Sequence, residues 1–305
     1  EILCAVFERH GEDLADYRPC EEALTRVGME PPGTGEPIDF SSRGEGFLVG
    51  FVPGLGWDCV EEWLDVENFT SPRSLGYGFD ALMIDVDGLS GTRNNASQIA
   101  EYLAALPAEH AGKKLILIGY SKGASDILRF LVDYPGMAGN VVAVVSIAGA
   151  VGGSPLSYDA TQNQAELLKL TPQSECDEGD GKAVESLRPD RRLAWLEENE
   201  LPGHIAYYSV VTFPEPDRIS FGLRFTWRKL SRIDSRNDAQ LLFYDQVIPG
   251  STVIALPNAD HWAMAVPVKR SHKFIGATFV NENDYPREAF LEAVVRYVEE
   301  VLSSQ

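Results

Sequence analysis

No stretch of this sequence approaches the eighteen or so uncharged apolar residues that a membrane-spanning helix needs, so no such span is expected. Cysteine is sparse: Cys4, Cys20, Cys59 and Cys176 contain no Cys-x-x-Cys pair and lack the spacing of a zinc cluster. Two disulfides are open to them in three pairings, of which Cys4–Cys20 is the most local. Basic residues are outnumbered, 26 lysines and arginines against 46 aspartates and glutamates. The resulting formal charge of -20 repels phosphate backbones and anionic membranes, so nucleic acid is not an expected partner. No Gly-x-Gly-x-x-Gly occurs, which removes the dinucleotide fingerprint. The sequence starts without methionine or a leader, and a secreted or periplasmic setting is expected ahead of a cytoplasmic one.

What is present reads as a folded α/β chain. Apolar residues make up 44% of its 305 residues, enough for one large core with an insertion. Short apolar runs at 47–52, 79–84, 115–118, 141–147, 205–213 and 252–256 read as strands, several without alternation, as parallel strands covered on both faces require. Helical stripes lie between them: Ile99, Leu103 and Leu106; Ala124, Ile127, Leu128, Leu131 and Val132; and Phe290, Val294, Val298, Val301 and Leu302, with Pro286 suited to the first turn. The alternation predicts one domain over 1–305, a mostly parallel sheet with helices on both faces. Residues 1–37 form an N-terminal extension, and the first 46 residues can add a helix near 20–27 and early edge strands. Residues 152–203, with helical pieces at 164–170 and 191–198, form an insertion placed to act as a lid or cap. The acidic run at 175–180 reads as a solvated loop rather than a cation site.

Leu115-Ile-Leu-Ile-Gly119-Tyr-Ser121-Lys-Gly123 is a strand, then Gly-x-Ser-x-Gly, then a helical pattern. A serine on such a turn is lifted above the sheet, and the glycines on either side permit the close backbone approach the turn demands. Ser121 is therefore the candidate nucleophile. Its base must come from a strand-end loop, and of five histidines only His261, in Pro257-Asn-Ala-Asp260-His261, fits. An acid must fix the imidazole tautomer. Asp238, expected at a helix cap, is the first choice, with Asp245, Asp217 and Glu215 as alternatives.

Attack on a carbonyl needs donors aimed at the developing oxyanion. The backbone N–H of Lys122, following the nucleophile, supplies one. That of Leu55, in the glycine-rich loop Pro53-Gly-Leu-Gly56 ahead of a helical stretch at 59–64, supplies the other. Trp57, Tyr120 and Trp262 are candidates to line the substrate pocket.

These motifs resemble the lipase and carboxylesterase branch of the α/β-hydrolase superfamily. Gly119-Tyr-Ser-Lys-Gly123 matches its nucleophile elbow, and Pro53-Gly-Leu-Gly56 its His-Gly-x-Gly loop with proline for histidine. Asp87-Gly-Leu-Ser-Gly91 resembles the stretch after the family's fourth strand. Val144-Val-Ser-Ile-Ala-Gly-Ala-Val-Gly-Gly-Ser154 resembles another of its segments, while Asn237-Asp238 and Asp260-His261-Trp262 resemble its acid and histidine settings. The similarity spans residues 38–303, and the order Ser, Asp, His is the superfamily's. It implies ester hydrolysis through an acyl-enzyme on a small-molecule or lipid ester, with no metal, flavin or nicotinamide required. Alternatives on the same fold are an amidase, peptidase or thioesterase, or a non-catalytic binding protein.

Overall fold

The computed structural model describes residues 1–14, 16–28, 35, 38–41, 46–59, 80–110, 112–160 and 178–304. Its centre is a six-stranded sheet of β1 (Phe47–Val52), β2 (Asp80–Met83), β3 (Lys114–Tyr120), β4 (Val141–Ile147), β5 (Ala206–Val210) and β6 (Thr252–Ala255). The spatial order is β2-β1-β3-β4-β5-β6, and every pairing is parallel. Each apolar run predicted as a strand is one.

Side-chain alternation between two cores explains why these runs are mostly apolar. On β3, Leu115 and Leu117 enter one core while Ile116 and Ile118 enter the other; on β1, Leu48 and Val52 oppose Val49 and Phe51. The first core is closed by α3 (Thr92–Ala104) and α4 (Lys122–Asp133), through Ile99, Ile127, Leu128 and Leu131. Leu106 follows α3 rather than belonging to it, yet packs against the same core. The second core is closed by α1 (Ile2–His10) and α10 (Arg287–Ser303), through Val6, Phe7, Phe290, Val294 and Val298. Between them in the chain lie the short α2 (Cys20–Ala23), α5 (Ala183–Ser186), α6 (Pro189–Glu198), α7 (Arg224–Leu230), α8 (Val268–Ser271) and α9 (Lys273–Thr278). Among the described residues, no helix is long and apolar enough to cross a membrane.

Several local expectations are corrected. The start of the chain brings no described edge strand. Ile2, Leu3, Val6 and Phe7 fall at helical spacing, and α1 docks on α10, where Glu292 holds both His10 (2.9 Å) and Arg296 (2.7 Å). The helix near 20–27 closes after one turn, because Leu24 bridges to Pro257 and the Thr25 N–H donates to the Leu256 carbonyl. The 205–213 strand ends early, as Thr212 turns away to hydrogen-bond the Gln246 side chain. Pro286 stands just ahead of α10, not in its first turn. Cys4 and Cys20 are joined by a disulfide, the most local of the pairings considered. The helical pieces expected at 164–170 and 60–64, and the acidic run up to residue 177, lie outside the described residues.

Candidate active site

The site is built where β3 gives way to α4. Ser121 adopts φ 52°, ψ -121°, a left-handed backbone for a residue with a Cβ, which costs about 1–3 kcal/mol and must be imposed by its surroundings. Its N–H donates to the Ile147 carbonyl (3.1 Å), and its own carbonyl accepts from the Ala150 N–H (2.8 Å). The turn is too tight for side chains on either side. A Cβ on Gly119 would lie 2.5 Å from the Ala124 backbone, and one on Gly123 would lie 2.2 Å from the Val52 carbonyl oxygen.

His261 reaches this hydroxyl from the loop after β6. Its Nε2 lies 2.9 Å from Ser121 Oγ, and its Nδ1 lies 2.7 Å from Asp238 Oδ2. Both residues are buried, the acid fully. Of the four acids considered, the structure brings Asp238 to the imidazole. Asp217 and Glu215 are exposed in the turn after β5. The Asp245 carboxylate packs against Gly152, where a Cβ would stand 2.7 Å from its Oδ1, and burial raises its pKa to about 7. Asp238 does not cap a helix as expected. Its Oδ1 accepts the N–H groups of Gln240 (2.9 Å) and Leu241 (2.7 Å), an Asx-type turn that fixes the carboxylate, and Thr212 Oγ1 donates to Oδ2 at 2.8 Å.

The imidazole is also held through its backbone. Tyr120 Oη donates to the His261 carbonyl (2.8 Å), and the His261 N–H donates to the Asp238 carbonyl (3.0 Å). Asp260 is enclosed beside it, accepting the N–H groups of Ser220 (2.8 Å) and Ala263 (2.9 Å). Burial pushes the Asp260 carboxyl up. Burial first, then the charges of Asp238 and Asp260, pushes the Tyr120 phenol well above its usual range, so it stays a donor.

The loop carrying Leu55 lies against the nucleophile because Gly54 has no side chain: a Cβ there would meet Ser121 Cβ at 3.0 Å and the Tyr120 ring at 3.2 Å. Neither the Leu55 nor the Lys122 N–H donates to another described group. The Lys122 side chain points elsewhere, into a buried ion pair with Asp126 (2.8 and 3.0 Å), which Asn95 Nδ2 also joins at 2.9 Å. Among the described residues, no group of three His, Cys, Asp or Glu side chains is arranged to hold a metal.

A cavity of about 500 Å³ opens over Ser121 and His261. Trp57, Tyr120 and Trp262 all line it, with Tyr120 also serving as the anchor just described. Much of the remaining wall was not anticipated from sequence. Leu187 comes from the insertion and Leu241 from the acid's own turn, while Val268, Ile275 and Phe279 come from α8, α9 and the residue beyond. The described parts of the insertion are tied down, with the Ser154 N–H donating to the Leu187 carbonyl (2.8 Å) and Ser154 Oγ to the Gln240 carbonyl (2.6 Å). Thr212 was missed too, since a threonine at a strand end carries no signal in sequence alone.

No protein-family model and no curated protein matches the chain. Solved structures do. The crystal structure of the metagenomic carboxyl esterase MGS0156 is 35% identical, with a TM-score of 0.87 over 98% of this chain and 90% of that one. The mature form of the Bacillus licheniformis lipase BlEst2 is 21% identical, with a TM-score of 0.57 over 79% of this chain and 93% of that one. The propeptide form of the same lipase gives 20% identity and a TM-score of 0.55 over 76% of this chain and 48% of that one. The BlEst2 likenesses bear on the fold; the first, at its identity and coverage, bears on descent, and with it this chain belongs to the α/β-hydrolase superfamily, in its carboxylesterase- and lipase-like branch.

Proposed function

We propose that the protein is a serine hydrolase of carboxylic esters, with Ser121 as nucleophile, His261 as base and Asp238 as the acid that fixes the base. The carrying observation is the continuous hydrogen-bonded line from Ser121 Oγ through both ring nitrogens of His261 to Asp238, beneath a largely apolar cavity. The 35% identity to a carboxyl esterase supports the choice of ester over amide or thioester.

In the first stage Ser121 Oγ attacks the ester carbonyl while its proton passes to His261 Nε2. The imidazolium that forms is stabilised by Asp238. The oxyanion lies against the N–H groups of Leu55 and Lys122, at the N-terminus of α4, where the helix dipole favours negative charge. Collapse breaks the C–O bond, His261 protonates the departing alcohol, and an acyl-Ser121 remains. Water then gives a proton to His261 and attacks the acyl carbon, releasing the acid and restoring the hydroxyl. The apolar wall from Leu187 to Phe279 suits the acyl chain. We assign the insertion at 152–203 to covering that wall. A secreted or periplasmic setting fits the Cys4–Cys20 disulfide.

A fluorophosphonate probe tests the assignment. Wild-type protein becomes labelled and Ser121→Ala does not; labelling that survives in the variant, or folded wild type that takes no label, would overturn it. Turnover of matched ester, amide and thioester substrates then separates the alternatives.

A further inference from the structure

The acidity of this chain is not evenly spread. Residues 218–236 and 266–279 carry nine of its 26 lysines and arginines but one of its 46 acids, Asp234. The two stretches meet beside the cavity. The Gly222 N–H donates to the Phe279 carbonyl (2.8 Å), and the Phe279 ring packs on Gly222 and on Trp262, at a centroid distance of 6.1 Å. Five of the nine cations are matched by neighbouring acids: Arg218, Lys229, Arg236, Lys269 and Arg270. The other four, Arg224, Arg228, Arg232 and Lys273, make no ion pair among the described residues, and all but Arg224 are exposed. Interleaved with them are large apolar side chains left in solvent: Phe225 is 77% exposed and Phe274 80%, with Phe221, Ile233 and Phe279 also exposed.

We propose that this face, α7 with α8 and α9, docks on an anionic lipid surface and delivers esters from it into the cavity. Solvation alone explains unpaired cations, and a protein partner alone would explain exposed phenylalanines. Cations alternating with exposed aromatics are the pattern that suits an interface with charged head groups above acyl chains. The cavity adjoins this face on the α9 side, where Ile275 lines it and Phe279 both lines it and reaches solvent. An overall charge of -20 opposes approach in any other orientation, so the same imbalance that repels an anionic surface globally selects this face locally. Delivery rests on the ester-hydrolase reading; docking itself does not.

The test is vesicle co-sedimentation of the full chain carrying Ser121→Ala, so that binding is read without hydrolysis. Retention is expected on phosphatidylglycerol vesicles and not on phosphatidylcholine, and it should fall as salt rises. With each surface cation contributing about fivefold, Arg228→Gln, Arg232→Gln and Lys273→Gln together should lower partitioning on the order of a hundredfold. Phe225→Ser with Phe274→Ser should lower it as well. In the Ser121 background, both sets should leave turnover of a soluble short-chain ester unchanged, which also reports that they fold. Undiminished binding by the charge variant, or equal retention on the two lipids, would overturn the proposal. So would binding to polyglutamate beads with none to vesicles, which would point to an acidic macromolecule instead. Vesicle binding without fluorophosphonate labelling would leave docking standing while the catalytic reading fell.

Discussion

Replacing Asp238 by asparagine keeps the shape of the site and turns one acceptor oxygen into a donor, and the structure dictates which one. Asp238 Oδ1 accepts two backbone N–H groups, from Gln240 and Leu241. Turning the amide nitrogen toward them would leave both donors unsatisfied, at about 1–3 kcal/mol each, so the oxygen stays there and the NH2 occupies the Oδ2 position. That position faces Thr212 Oγ1 at 2.8 Å and His261 Nδ1 at 2.7 Å. Thr212 can adapt, because its hydroxyl also lies 3.1 Å from Gln246 Oε1 and can donate there while accepting from the amide. His261 cannot adapt without cost: Nδ1 must become an acceptor, the proton moves to Nε2, and the ring then donates to Ser121 Oγ instead of taking its proton. A wrong tautomer with intact geometry lowers kcat by about 10⁴-fold, or about 5 kcal/mol of barrier. The assay is kcat on a soluble p-nitrophenyl ester at neutral pH, with thermal unfolding measured alongside. The melting temperature should barely move, since the two backbone bonds persist. An Asp238→Asn enzyme within tenfold of wild type would refute the reasoning, as would a comparable loss in Asp245→Asn.

Three further outcomes follow from groups outside the Ser121–His261–Asp238 line. Burial lifts the Asp245 carboxyl from 3.8 to about 7, so the folded protein prefers it neutral, and this residue's contribution to stability is lost as pH rises from about 4 through 7. Asp245→Asn should therefore gain stability over wild type above that window, by at most about 4 kcal/mol, and little at pH 4; urea midpoints at the two pH values check it. Lys122→Met removes the main partner of Asp126, a buried carboxylate already pushed upward by desolvation, and should cost about 3–5 kcal/mol in chemical denaturation. Cys4→Ser with Cys20→Ser opens a crosslink across 16 positions and should cost about 3 kcal/mol, seen as a lower melting temperature, with turnover retained.

How much of this was legible in the sequence depended on whether a residue's task was set by its near neighbours. The strands were readable because a parallel strand covered on both faces must be apolar at every position, as Leu115 to Ile118 are. Ser121 was readable because its turn requires glycine at 119 and at 123 within a few ångströms of backbone. The acid was less so. Several acids follow β5 in the chain, and what singles out Asp238 is the turn it makes with Gln240 and Leu241, together with a threonine twenty-six positions earlier. The N-terminal residues were misread as edge strands because Val6 and Phe7 find their partners in a helix near the other end of the chain.

The cavity walls show the same limit from the functional side. Catalytic chemistry is repeated wherever the reaction is the same, and it imposes small residues and fixed order on short stretches. Recognition imposes almost nothing local: Leu187, Leu241, Ile275 and Phe279 are ordinary apolar residues until the fold gathers them over one serine. Their grouping arises from three separate connections beyond the strand ends, after β4, after β5 and after β6, which can be exchanged without disturbing the sheet or the elbow. The charge pattern around α7 and α9 is likewise invisible in a total of -20, because a net charge sums over faces that never meet the same partner. The hydrogen-bonded line of Ser121, His261 and Asp238 is therefore set by tight local turns, whereas the wall above it is gathered from Leu187, Leu241 and residues between 262 and 280, far apart in the chain.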